Sequence, residues 1–337
     1  MRVLVLGGTG LISQEIVRQL AASGDTVHVL NRGNTAAELP EGVERLTADR
    51  SGLGDMRPWI EKQHFDCLID MIGFTEQEAA GLVNAAAGVV EHVLYCSTVD
   101  VFQKPQPSYP VIENARRLAR ESFPYAVGKV ESEVLLEQAA ESGAFELTIL
   151  RPAQTYGGPN HGPVHPLGHW KYQLWRISTG RTILMHGDGT SRWSACHARD
   201  VGAAFAAAAH EPAARGRSYN LASAELVTWT RYWEIVADAF AYPRPDIVTV
   251  PSEILSRRLG DEASWLMENF RFNNVFDCTA AAVDLGFAGR TSLQDGMSET
   301  VGRHGSEWLA AGGAEAGSSY DQLTEETIAW WQERAGA

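Results

Sequence analysis

Short apolar runs recur through the first half of the chain, and amphipathic stretches lie between them. Strands are predicted at 3–6, 26–30, 44–47, 67–72, 92–96 and 147–151. Several of these runs are almost continuous in Val, Leu and Ile, the pattern of parallel strands covered on both faces. Residues 11–23, 55–62, 76–90 and 125–142 carry helical spacing. Strand and helix in alternation predict an α/β chain of Rossmann type, a doubly wound parallel sheet.

After Arg151 the pattern changes. Residues 157–170 hold four Gly, three Pro and three His and predict a loop. Helix returns at 198–210, a strand at 218–221, a helix at 228–240 and a strand at 246–250. Beyond Pro251 the chain is mostly helical or irregular and ends in a helix around Trp330 and Trp331. Residues 311–319, rich in Gly, Ala and Ser, predict a mobile linker. The expected division is a sheet domain of 1–156 plus about 195–225, with a smaller, mainly helical lobe at about 157–194 and 226–337.

The segment Gly7-Gly8-Thr9-Gly10-Leu11-Ile12-Ser13 joins the first strand to the first helix. Glycines there let the backbone approach a pyrophosphate, and the helix N-terminus offers free N–H groups and a partial positive charge. Gly7, Thr9, Gly10, Leu11 and Ile12 are therefore candidate contacts to a dinucleotide. At the end of the second strand, where an NAD site usually carries Asp or Glu for the adenosine ribose, stand Asn31 and Arg32. Asn31 removes a carboxylate that would repel a 2′-phosphate, and Arg32 adds a planar donor fork. NADP(H) is favoured and NAD(H) is possible, since Arg32 can equally lie solvated beside the adenine. Asp49 is either a partner for the adenine amino group or a helix N-cap.

Tyr125-Ala126-Val127-Gly128-Lys129 is a Y-x-x-x-K that opens a helix. Its i, i+4 spacing puts phenol and ammonium on one face. A nearby ammonium is expected to lower the phenol pKa, and Lys129 can also hold the nicotinamide ribose. Ser97 or Thr98 supplies a hydroxyl at the carboxyl edge of the sheet, where ligands of such sheets bind.

With these motifs the chain resembles the extended short-chain dehydrogenases/reductases of the NAD-dependent epimerase/dehydratase family. The resemblance rests on the glycine turn, Leu68 to Gly73, Ser97-Thr98, Tyr125/Lys129, Arg151-Pro152 through Tyr156-Gly157, and Gly187-Asp188-Gly189 through His197 and Asp200. It implies that Tyr125 is the acid/base, that Lys129 assists it, and that Thr98 positions the substrate oxygen. Val101-Phe102 matches the family's Val-Tyr, which places Thr98 rather than Ser97 at the catalytic hydroxyl. Ile72, Gly73, Ser97 and Pro152 join the implied cofactor contacts; Phe74, Thr155, Arg192 and Trp193 are the implied substrate contacts. The implied reaction is hydride transfer at a secondary alcohol or ketone of a sugar, sugar nucleotide or nucleoside. The alternatives are net NADPH-dependent reduction of another small ketone, or a non-catalytic RNA-binding or redox-sensing role. The last follows from a second similarity, to chloroplast stem-loop-binding proteins.

Two departures qualify this. Dehydratases of the family carry Thr-Asp-Glu; here the run is Thr98-Val99-Asp100, and Val99 cannot donate a proton. Asp100 falls on the Glu position, either as a base or as a capping carboxylate. The arginine expected four residues before His197 is replaced by Trp193, with Arg192 one residue off. Arg192 can still reach a phosphate, and Trp193 either stacks on a sugar or base or packs in the core.

Charge and cysteines narrow the class. There are 28 Lys+Arg against 42 Asp+Glu, a formal charge of −14, which opposes nucleic acid or an anionic membrane as partner. Cys67, Cys96, Cys196 and Cys278 are widely spaced and read as reduced thiols, so a cytoplasmic protein is expected. His161, His165 and His169 are interrupted by Pro and Gly, and no metal is expected. A small-molecule substrate and a homodimer, packed through the alanine-rich helix 76–90 and the Tyr125 helix, complete the expectation.

Overall fold

The computed structural model describes residues 1–35 and 37–335. The chain divides into two compact units: Met1–Thr155, Cys196–Ala224 and Phe276–Arg290 form one, and Tyr156–Ala195, Glu225–Val275 and Thr291 onward form the other.

The first unit is built on seven strands: β1 (Arg2–Leu6), β2 (Thr26–Asn31), β3 (Glu44–Thr47), β4 (Cys67–Asp70), β5 (His92–Cys96), β6 (Glu146–Pro152) and β7 (Arg217–Leu221). They lie in the order β7-β6-β5-β4-β1-β2-β3, and every pairing is parallel. Its helices are α1 (Leu11–Ala22), α2 (Arg57–Gln63), α3 (Glu76–Ala86), α4 (Pro124–Glu141), α5 (Ala198–His210) and α6 (Thr279–Leu285). Successive side chains of a strand point to opposite faces, so both faces must be covered. Val3 and Val5 pack with Ile16, Val17 and Leu20 of α1 and Val201 and Phe205 of α5. Leu4 and Leu6 pack on the other side with Leu82 of α3 and Leu136 of α4. The strand order reverses between β1 and β4, and ligands of such sheets bind beyond the strand ends at that reversal. The glycine turn leaves β1 there, residues 71–75 leave β4, and Ser97-Thr98 leave β5 beside them.

In the second unit, helices Trp170–Ser178, Trp229–Ala239, Ser252–Leu259, Leu293–Gly313 and Ser319–Ala335 surround two short strand pairs. Ile183–His186 pairs with Ile247–Val250, and Arg192–Trp193 pairs with Val227–Thr228. Trp229, Trp233 and Trp308 fill the core.

Three expectations are corrected. Residues 276–290 belong to the sheet unit, not to the smaller lobe: Asn220 Nδ2 donates to the Val111 and Asp277 carbonyls, and Tyr219 donates to Asp284. Such pairing across a long stretch of chain leaves no local pattern. Residues 311–313 are not linker but the last turn of Leu293–Gly313, where Gly312 lets the helix cross the Lys171 carbonyl. The fourth strand ends at Asp70, because its carboxylate turns back to accept the Ile72 N–H at 3.0 Å. Among the described residues no helix is long and apolar enough to cross a membrane.

Candidate active site

Gly7 and Gly8 adopt φ of +109° and +76°, which favour glycine. At Gly8 a Cβ would come 2.6 Å from Val29 Cγ1, so only glycine lets the turn lie against β2. Ser13, buried, accepts from the Gly10 N–H at 2.9 Å and tightens the start of α1. Thr9 is tied through its carbonyl to Gln14 Nε2. The first-turn amides of Leu11 and Ile12 belong to a helix N-terminus and have no partner four residues back. This turn suits a pyrophosphate.

Asn31 does something the sequence did not suggest. It is buried; its Nδ2 donates to the Gly7 carbonyl at 3.0 Å, and its Oδ1 accepts from the Gly33 N–H at 2.9 Å. Its side chain is thus a brace of the glycine turn. Arg32 is exposed at the tip of β2. Asp49 takes up its capping role: Oδ1 accepts from the N–H and hydroxyl of Ser51, and these bonds hold the carboxyl below its usual range.

The candidate catalytic residues come together at the strand ends. Thr98, last before a short turn, is hydrogen-bonded to Tyr125 in the first turn of α4. Lys129, one turn on, is buried, and its Nζ donates to the Gly73 carbonyl at 2.7 Å and the Cys96 carbonyl at 2.5 Å. Its ammonium also lies 4.8 Å from the ring centres of Phe74 and Tyr95. Gly128 makes this possible: a Cβ there would overlap the Phe74 carbonyl oxygen.

The electrostatics differ from expectation. Burial, and then the Asp100 carboxylate, push the Tyr125 phenol above its ordinary value, and the Thr98 hydrogen bond opposes this only in part. Burial pulls Lys129 down. Asp100 is itself paired with Lys104 at 2.6 Å. Ser97 is buried beside Glu133. Glu133, although burial opposes its charge, is held below its usual range by Arg151, which grips both oxygens at 2.8 Å.

The remaining candidates separate. Ile72 is held by Asp70, Pro152 ends β6, and Thr155 donates to the Ala153 carbonyl. Phe74 is exposed, its ring 6.3 Å from that of Tyr125. Trp193 is corrected: only 3% exposed, it packs 4.6 Å from Trp229 and 5.1 Å from Phe270, so neither face is open for stacking. Arg192 is exposed. His165 bonds the Leu184 carbonyl, His169 bridges Glu262 and Glu315, and His197 caps α5. The four cysteines are free thiols, three of them buried.

Sequence reasoning missed Arg50, Asp70, Tyr95 and Gly128. A carboxylate within the apolar run Cys67-Leu68-Ile69-Asp70-Met71-Ile72 was the available signal, because a buried charge needs a partner.

Comparison with known proteins agrees with this geometry. Residues 3–222 match the NAD dependent epimerase/dehydratase family. The chain is 31% identical to 2′-dehydrokanamycin reductase of Streptomyces kanamyceticus over 82% of its own length and 77% of that protein's. It is 25% identical to the chloroplast stem-loop binding protein of 41 kDa b of Arabidopsis thaliana, over 73% and 65%. UDP-glucose 4-epimerase of Stenotrophomonas maltophila, solved with bound NAD and formylated UDP-arabinopyranose, superposes with a TM-score of 0.72 at 20% identity, covering 94% of this chain and 100% of that one.

Proposed function

The chain belongs to the NAD-dependent epimerase/dehydratase family, and from that premise we propose that it is an NAD(P)-dependent reductase of a sugar-type ketone. One observation carries the reading: the Thr98 and Tyr125 hydroxyls are hydrogen-bonded at the carboxyl edge of the sheet, with Lys129 on the same helix. The glycine turn, its Asn31 brace and the N-terminus of α1 fit the pyrophosphate of a nicotinamide dinucleotide, and we assign exposed Arg32 to a 2′-phosphate. When bound, that cofactor supplies or accepts the hydride. Thr98 donates a hydrogen bond to the substrate oxygen. Tyr125 gives its proton to the same oxygen as the carbonyl becomes an alcohol, and takes it back in the reverse direction. Lys129 uses two of its three N–H donors on carbonyls and keeps one for a ligand hydroxyl.

Net reduction is favoured over epimerisation by two features. No carboxylate ends β2 to select NAD. The 31% identical relative is a reductase. A formal charge of −14, and buried Trp193 where the resemblance expects an arginine, favour a cationic amino sugar over a sugar diphosphate.

The test begins with the purified protein, denatured so that any released nucleotide is identified by mass spectrometry. Oxidation of NADPH and NADH is then followed with amino-sugar and neutral sugar ketones. Exchangeable cofactor and ketone-dependent NADPH consumption, lost in Tyr125→Phe, support the reading. Stoichiometric retained NAD+ with sugar epimerisation and no net turnover would replace reductase by epimerase. NAD+ in place of NADP+ would overturn the role of Arg32.

A further inference from the structure

Beneath the candidate active site lies a second pair of charges that the reaction does not use. Arg50 follows β3 and Asp70 ends β4; both are buried. Arg50 Nη1 donates to Asp70 Oδ1 at 2.7 Å, and Nη2 to Oδ2 at 2.6 Å. Oδ1 also accepts the Ile72 N–H. The guanidinium continues to the Glu78 carbonyl at 3.1 Å, while the Glu78 carboxylate accepts the N–H groups of Phe74 and Thr75. Both ends of the turn 70–78 are thus tied to one arginine. Gly73 lies over the pair: a Cβ there would stand 2.7 Å from Asp70 Oδ2 and 2.9 Å from Arg50 Nη2. Its carbonyl, fixed in this way, receives the Lys129 ammonium and the Tyr95 hydroxyl.

The charges facing Lys129 are Asp70, Glu133 and Arg50, with the Cys96 thiol beside them. Glu133 is saturated by Arg151 and Arg117. Asp70 is saturated by Arg50. A buried ammonium pairs with a carboxylate whenever one is free, because neither charge tolerates isolation. Lys129 rests on two neutral carbonyls, while Arg50 occupies both oxygens of Asp70.

We propose that Arg50 is a positioning residue for the reaction: by saturating Asp70, it keeps the Lys129 ammonium facing the ligand instead of withdrawn onto Asp70. The proposal rests on the reading that Lys129 serves hydride-transfer chemistry.

The test compares Arg50→Gln with the double variant Arg50→Gln/Asp70→Asn in the full chain, by crystallography and by kinetics. In R50Q the lone carboxylate draws Lys129 away, so Nζ is found on Asp70, and kcat falls about 10- to 100-fold, with the KM for ketone within about twofold. In the double variant the attracting charge is gone. Lys129 returns to the Gly73 and Cys96 carbonyls, and kcat recovers to within about threefold of wild type, a coupling that two independent structural losses would not show. The proposal is overturned if Nζ in R50Q stays on both carbonyls, or if the double variant is as slow as R50Q. If R50Q does not fold, the double variant decides alone: wild-type-like kcat and Lys129 placement uphold the proposal, and loss of either refutes it. Should the wild type turn over no ketone, the functional reading fails, and the position of Lys129 in the crystals still decides the role of Arg50.

Discussion

Gly128 sits inside α4, where replacing glycine by alanine ordinarily stabilises a helix by about 1 kcal/mol. The structure reverses that sign. A Cβ on Gly128 would overlap the Phe74 carbonyl oxygen and lie 3.3 Å from its carbonyl carbon and 3.5 Å from Thr75 Cα. These are backbone atoms, pinned by the Glu78 cap and by Lys129, and they cannot rotate away. Restoring an ordinary C···O separation of about 3.3 Å requires a shift of the 73–75 segment by about 1 Å. Overpacking of this kind costs about 1–3 kcal/mol, which cancels or outweighs the helical gain and leaves Gly128→Ala destabilised by up to about 2 kcal/mol. Over 337 residues the expected fall in melting midpoint is up to about 3 °C. The displaced Gly73 carbonyl also releases Lys129, and a misplacement of about 1 Å costs about 100-fold in kcat. Thermal melts and NADPH-dependent ketone reduction measure the two effects. A G128A protein with a raised melting midpoint and unchanged kcat would refute the reasoning outright.

Three further outcomes are expected. Tyr125→Phe should lower turnover about 10²- to 10⁴-fold while nucleotide affinity, measured by fluorescence titration, stays unchanged. Asp100→Asn removes a charge that raises the phenol pKa, so the alkaline limb of the reduction rate, where Tyr125 loses its proton, should move to lower pH; a limb that stays or moves up contradicts the assignment. Asn31→Asp, the obvious change to seek NAD preference, should fail to improve NADH affinity, because it sets a carboxylate oxygen against the Gly7 carbonyl at a site that needs a donor. The loss is about 1–3 kcal/mol. Its carboxyl pKa is raised in the folded state, so the deficit should shrink as pH falls through that value and be full above it, as melts across pH would show.

Much of this protein was legible in one dimension, and the reason is local. The strands at 26–31 and 92–96 are runs buried on both faces, and the glycine turn and Y-x-x-x-K place their chemistry within a few residues of each other. Periodicity and short spacing report such features directly. Asn31 shows the first limit: its position at the end of β2 was readable, but which end of its amide met Gly7 depended on a turn 24 residues away. Trp193 shows another, since an aromatic beside a polar residue looks the same whether it faces a ligand or Trp229. By itself the sequence determined the parallel sheet and the glycine turn, and it singled out Thr98, Tyr125 and Lys129 as candidates, because each is a pattern of neighbours. Only the tertiary structure decided that residues 276–290 return to the sheet unit, that Gly128 must be glycine, and that Arg50 stands under Gly73 with Asp70. Those facts depend on contacts between segments that are distant along the chain, and burial makes such contacts exacting without leaving a mark on the residues beside them.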